Sequence, residues 1–428
     1  MTDTNIASIR ARQVWDSRGR PTVEAEVRLA GGSWGRAIAP SGASTGKREA
    51  LDLRDGGKRL GGYGVNRAIE GINTRIARTL AGRDAADQKS IDRNLVALDG
   101  TPQKTVLGGN AIVAVSSAVA WAAAAAKGVP LWAHLRSLAR LPDTPKIPAP
   151  MIQIFGGGRH AGNRIDIQDF LVICLAATSF AEACEWTAEV YRAAASAMAA
   201  RGKLNGVADE GGIWPDFSAN EEGLDYLTRA IEDAGFRPAR EIGIALDVAA
   251  SEFAEGERYR LALENRDLSS DELIGVLEAW SRVYPIVSLE DPLGEDDDGG
   301  MVAVTRLLGG SLQIIGDDYL TTSAPRVRAA GSRGACNAVL LKSNQCGTLT
   351  ELIEASAAAR ELGWNTVMSG RSGESEDVTL SHLAVGLLAD QVKVGSITRA
   401  ERTAKWNELI RIEETLPPHS YWHFKVPE

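Results

Sequence analysis

The sequence predicts an α/β fold, a (β/α)8 barrel behind an α+β N-terminal domain, and three observations predict it. Six apolar runs in the second half each end on a polar residue: IGIAL-Asp247, YPIVSL-Glu290, LQIIG-Asp317, NAVLL-Lys342, NTVMSG-Arg371 and QV-Lys393. Their ends lie 43, 27, 25, 29 and 22 residues apart, intervals that suit a strand, a helix and two loops. The 428 residues are enough for a barrel of roughly 250 residues or more plus another domain.

Residues 6–39 hold three β-rich runs, IASIRARQVW, PTVEAEVRLA and SWGRAIAP, separated by SRGR and AGG turns, as in an antiparallel meander. From Gly62 to Gly128 the pattern turns helical in VNRAIEGINTRIARTLAG, DQKSIDRNLVALDG and NAIVAVSSAVAWAAAAAKG, each closed by glycine. The most apolar stretch, Ala111 to Ala126, is interrupted by two serines. It falls short of the ~20 apolar residues of a spanning helix and reads as a buried core helix. RLPDTPKIPAP (140–150) has four prolines in eleven residues. It marks the boundary between an N-terminal domain over 1–139 and a barrel over 146–428.

Hydrophobic residues at 44% and charged residues at 24% permit a large core. A net charge of −9 argues against nucleic acid or an anionic membrane as partner. The start, MTDTNIASIRARQVW, has no apolar signal region. The four cysteines form no CxxC pair, so reduced thiols in a cytoplasmic protein are expected.

Barrel chemistry sits at the C-terminal ends of the strands. Asp247, Glu290 and Asp317 therefore offer hard oxygen ligands from three strands, a set that suits Mg²⁺ better than zinc. Lys342, after four apolar residues and beside a cation, should be desolvated and lowered in pKa toward a general base. Lys393 serves the same purpose or holds a substrate carboxylate; spacing does not choose. Asp209 and Glu210, before Gly-Gly, offer a general acid or simply turn-capping acids. Arg371, Ser372 and the following glycine offer a guanidinium, a hydroxyl and backbone N–H groups to a phosphate. PSGASTG (40–46) and FGGGRHAGN (155–163) read as mobile flaps. His160 lies in the second flap and, taken alone, reads as a surface histidine.

At this point the chain resembles the enolase (phosphopyruvate hydratase) family over nearly its whole length. The resemblance runs through WDSRGRPTVE, PSGASTGKREALDLRDGG, LGGNAIVAVSSAVA, HAGNRIDIQDF, DEGG, ALDVAASEF, VSLEDPLGEDD, GDDYLTT, LLKSNQCGTLTE, RSGESED and KVGSITRAERTAKWNELIRIEE. It implies an enolase-type barrel, a homodimer, two Mg²⁺ and dehydration of 2-phosphoglycerate to phosphoenolpyruvate. By the same resemblance Asp247, Glu290 and Asp317 hold the first Mg²⁺ and Ser44 contributes to the second. Lys342 becomes the base and Glu210 the acid, with Asp169 standing where the family has a glutamate. His160 joins these catalytic residues. Lys393 holds the substrate carboxylate, Arg371 and Ser372 the phosphate, and Gln168 and Gly370 line the substrate.

The chain departs from the family pattern in several places. A substrate-facing histidine is Gly370, an asparagine before Gly-Gly is Gly156, and Lys47 and Arg48 follow the first flap. Trp214, Asp298, Ser343 and Cys346 also differ. Two glycines beside a complete acid–base set suggest an opened wall and a bulkier substrate. The leading expectation is therefore a carboxyphosphonoenolpyruvate synthase of phosphonate biosynthesis, drawing on a nucleotide-activated phosphonoformate. The alternatives are an ordinary enolase and a non-catalytic protein that keeps the fold.

Overall fold

The computed structural model describes residues 3–142, 144–256 and 258–425. Residue 143 of the proline-rich segment and residues 426–428 of the expected barrel span lie outside them, as do residues 1, 2 and 257.

Strands β1 (Ile6–Trp15), β2 (Pro21–Leu29) and β3 (Trp34–Ile38) form the expected antiparallel meander, in the order β1-β2-β3. Val23, Ala25, Val27 and Leu29 alternate along β2 and are all buried, the period of a sheet with one face on a core. That core is shared with Ile112, Val115 and Val119 of the helix Gly109–Lys127. Among the described residues this helix alone is long and apolar enough to cross a membrane, so the sequence underrated its length and apolarity. Packing decides its place: 83% of its apolar window is buried inside the protein. Gly100 and Gly128 end their helices in the left-handed conformation that glycine adopts without a Cβ clash.

The barrel strands are β4 (Ala149–Gly156), β5 (Asp169–Cys174) and β6 (Ile242–Asp247), then a small outer sheet of β7 (Ala254–Glu255), β8 (Arg258–Leu261) and β9 (Arg266–Leu268). They continue with β10 (Ile286–Glu290), β11 (Gln313–Gly316), β12 (Ala338–Leu341), β13 (Asn365–Ser369) and β14 (Gln391–Ser396). The barrel closes in the order β10-β11-β12-β13-β14-β4-β5-β6, so all six apolar runs become strands. Ala338 and Leu340 point into the barrel with Met151, Leu171, Ala245 and Val367, while Val339 and Leu341 pack outward on the helices. Burial on both faces is why these strands read as unbroken apolar runs.

One strand departs from the all-parallel expectation: β5 runs antiparallel to both β4 and β6. The chain returns from β4 to β5 through residues 157–168, which hold a single turn of 3₁₀ helix (Gly158–Ala161). A parallel pair needs a longer crossover, so a short return of this kind gives an antiparallel pair. The reversal places the first residue of β5, Asp169, beside Asp247 and Gly156 at the end of the barrel where the other strands finish.

Candidate active site

Around that rim stand Ser44, His160, Gln168, Asp169, Glu210, Asp247, Lys342, Gly370, Arg371, Ser372 and Lys393, lining one small cavity. Glu290 and Asp317 do not line it but touch its lysines. Lys342, directly after β12, gives its ammonium to Asp317 Oδ2 at 2.5 Å, and Gln345 Nε2 donates to Asp317 Oδ1 at 2.8 Å. Lys393, within β14, donates to Asp247 Oδ2 and Glu290 Oε2, both at 2.7 Å, and lies 3.5 Å from Asp169 Oδ2.

These contacts correct the expected direction of the Lys342 shift. Burial is the largest single influence and disfavours its charge, but Asp317, Asp318 and Glu290 together outweigh it, and the amine is held above its ordinary range. Lys393 is pushed well up in the same way: burial opposes, while Asp247 and Glu290 prevail. Burial, then the charge of Asp247, raises the Glu290 carboxyl well above the usual carboxylate range. Asp317 is lowered despite its burial, because Lys342 stabilises its charge.

His160 is also corrected, being 7% exposed rather than a surface residue. Its Nδ1 lies 3.1 Å from Asp169 Oδ1 and its Nε2 3.8 Å from Glu210 Oε1. Burial works against an imidazolium here, yet Glu210 and Asp169 raise it to about 9. Asp169 is depressed in turn: burial opposes its charge, and His160 and Lys393 overcome that.

On the opposite wall Arg371 donates to Glu49 Oε2 at 2.9 Å, to Asn344 Oδ1 at 3.1 Å and to the Ser44 carbonyl at 2.8 Å. The guanidinium is thus fixed by the first flap. Ser372 Oγ accepts from Arg18 Nη1 at 3.0 Å. Sequence reading missed Glu49, Arg18, Gln345 and Asn344. Each lies inside a motif that carries the resemblance, and Glu49, Asn344 and Gln345 adjoin Arg48, Ser343 and Cys346, but sequence spacing does not show contacts between distant motifs.

The residues fit a divalent cation of the Mg²⁺ class. Asp247, Glu290 and Asp317 are buried, all-oxygen donors, and Glu290 Oε1 and Gln168 Oε1 are buried with no hydrogen-bond partner among the described residues. The proximity is not the one expected, however. Asp317 clusters with Asp291 and Asp318, their oxygens within 4.8 Å of one another, whereas Asp247 and Glu290 meet through Lys393. Asp291 binds backbone more than site: its two oxygens accept from the amides of Asp317 and Asp318, each at 2.8 Å.

The proposed opening of the wall is half supported. A Cβ at Gly370 would meet Glu374 Oε1 at 3.2 Å and Leu380 Cδ1 at 3.5 Å, so a side chain fits there only if Glu374 gives way slightly. A Cβ at Gly156 would lie 2.7 Å from the Ala208 Cβ and 3.1 Å from Gln153 Nε2, so that space is already filled. Lys47 and Arg48 do not face the cavity as free cations either; each donates to Asp296 at 2.6 Å. All four cysteines are buried and free.

Comparison with known proteins gives two family matches: "Enolase, N-terminal domain" over residues 6–135 and "Enolase, C-terminal TIM barrel domain" over residues 144–425. The chain is 49% identical over 419 residues to a protein named Enolase 1 of Desulfitobacterium hafniense (strain Y51), covering 97% of this chain and 95% of that one.

Proposed function

The chain belongs to the enolase family, and from that premise we propose that it dehydrates 2-phosphoglycerate to phosphoenolpyruvate. The observation that carries this reading is the convergence of Lys342, Lys393, Glu210 and Arg371 around one small cavity. Its lining is mostly charged and polar side chains, cations among them, which suits a small anionic substrate. In this reading the neutral amine of Lys342, having given up the proton it shares with Asp317, takes the proton from the carbon beside the substrate carboxylate. Glu210 gives a proton to the hydroxyl leaving the next carbon, so that water departs as the double bond forms. The Asp169–His160 pair fixes Glu210's surroundings, Lys393 pairs with the substrate carboxylate, and Arg371 with Ser372 holds the phosphate. A Mg²⁺ held by Asp247, Glu290 and Asp317, and a second near Ser44, would supply positive charge against the carboxylate dianion. Such charge is what a weak carbon acid requires. A homodimer belongs to the same proposal on family grounds.

The synthase reading, with its nucleotide-activated donor, has less behind it. The close relative is named an enolase, the space at Gly156 is filled, and Lys47 and Arg48 are paired with an acid. A non-catalytic role leaves the cost of so many buried ionisable groups at one rim unexplained. The test is phosphoenolpyruvate formation from 2-phosphoglycerate and Mg²⁺ by the purified protein, and by its Lys342→Ala variant. Steady turnover by the wild type is expected, with kcat about 10²- to 10⁴-fold lower in the variant and KM little changed. No product unless a phosphonoformate donor is added, or full activity in Lys342→Ala, would overturn the reading.

A further inference from the structure

The filled space beside Gly156 leads further than the question of substrate size. Gln153 lies in the middle of β4 and is wholly buried, an unusual place for an amide unless both its ends are engaged. Both are: Nε2 donates to Asp169 Oδ1, and Oε1 accepts from the Gly212 amide at 2.8 Å. Asp169 opens β5, and Gly212 closes the turn that carries Glu210. One side chain therefore links the Asp169 carboxylate to the backbone of the turn that carries Glu210, without lining the substrate cavity.

The chemistry of the bridge restricts what can make it. An ionised Asp169 only accepts, and a backbone amide only donates, so the linker must be neutral with one donor and one acceptor at fixed separation. A carboxamide meets that requirement; a hydroxyl is too short from β4, and a carboxylate would face Asp169 with like charge. The packing agrees. A Cβ at Gly212 would sit 2.4 Å from Gln153 Oε1, so the turn presses its backbone directly onto the amide. A Cβ at Gly156 would push against Gln153 Nε2 and Ala208, the latter in the same turn. The turn is also tied to β4 by the backbone: Ile213 N donates to Ile154 O at 2.8 Å, and Gly156 N to Ile213 O at 3.3 Å.

We propose that Gln153 is a positioning residue that sets Asp169 and the Glu210 turn in register, and that Gly156 is small in this chain because the Gln153 amide uses the adjoining space. The roles of Asp169 and Glu210 come from the function proposed above; the bridge itself does not depend on them. Gln153→Met keeps length and volume but removes donor and acceptor. It is expected to lower kcat for 2-phosphoglycerate about 10- to 100-fold, with KM within about threefold, the pattern of a group acting through another on the reaction step. Amide hydrogen exchange over residues 208–213 should quicken at the same time. Gln153→Asn, which retains an amide too short to span both partners, serves as the second variant should the first not fold; the same two changes are expected. Gly156→Asn should lower kcat in the wild type, because its side chain displaces the amide.

A kcat within twofold of wild type in a folded Gln153 variant overturns the proposal, as does a rise in KM alone. If the wild type does not turn over 2-phosphoglycerate, the proposed function fails instead. The exchange measurement then still decides this inference, and unchanged protection of 208–213 in both variants sinks it.

Discussion

Burying Lys342, Lys393 and His160 takes three cationic groups out of water, which by itself would drive each toward its neutral form. At each the neighbouring carboxylates outweigh that cost, so the rim is a lattice of compensated charge rather than a set of isolated groups. From sequence, the apolar run before Lys342 and a neighbouring cation predict a lowered amine; the carboxylates around it, Asp317 first, reverse that direction. His160 gives this balance a measurable sign. Its imidazole is raised from 6.5 to about 9 in the folded state, so the native protein binds that proton more tightly than the unfolded chain. The stabilisation is complete below pH about 6.5 and is lost as pH rises through about 9. The midpoint of thermal unfolding should therefore fall more steeply between pH 7 and 9.5 in the wild type than in His160→Gln. Parallel slopes for the two proteins would show that His160 is not held charged by Asp169 and Glu210.

The helix Ala400–Thr415 holds the loop that carries Arg371 and Ser372, although none of its residues line the cavity. Arg402 is fully buried and donates from Nη1 to the carbonyls of Arg371 at 2.6 Å and Val394 at 2.8 Å, and from Nη2 to that of Ser372 at 2.6 Å. Lys405, equally buried, donates to Ser375 O at 2.6 Å and meets Glu374 Oε2 at 3.0 Å. Replacing Arg402 with leucine removes the donor from three carbonyls, at about 1–3 kcal/mol for each left buried and unpaired. Arg402→Leu should lower the unfolding midpoint and raise KM for 2-phosphoglycerate several-fold, with the smaller change in kcat. An unchanged KM would mean that the loop holds its shape without the helix. This support was not legible beforehand. The segment carrying it was quoted for its family resemblance, but an arginine in a helix ordinarily reads as a solvated residue. Its acceptors are backbone carbonyls, which leave no mark on sequence.

Across the whole molecule, legibility follows the range of the interaction. The six apolar runs could be read as strands because burial on both faces is written into the residues themselves, and the polar residue after each run fell at one rim for the same reason. Asp169 and Gln168 escaped that rule because they precede a strand, and only the reversal of β5 brings them to the rim where the other strands end. Nothing local to FLVIC sets its direction; the short return from β4 does. One contact in the joining of the two halves was equally invisible, a carboxylate buried on the N-terminal side. Asp92, buried in the helix Gln88–Asp99, accepts from Gln88 Nε2 at 3.0 Å and Ser116 Oγ at 2.7 Å on its own side. Across the join it accepts from Thr350 N at 2.9 Å and Thr350 Oγ1 at 2.6 Å, at the start of the barrel helix Leu349–Glu361. A negative charge at a helix N-terminus is favourable, and here it also couples the meander and its helices to the barrel. Hydroxyls and amide side chains can turn to new partners when Asp92 is cut back, but the Thr350 backbone amide cannot. Its loss of an acceptor costs on the order of 1–3 kcal/mol. Asp92→Ala should therefore unfold at a lower temperature and over a broader range than the wild type, with the N-terminal part melting ahead of the barrel. Far-UV circular dichroism and limited proteolysis along the same melt would show it: cleavage confined to residues before 140 at the first step is expected, whereas one sharp transition at the wild-type midpoint would mean that the join is carried elsewhere.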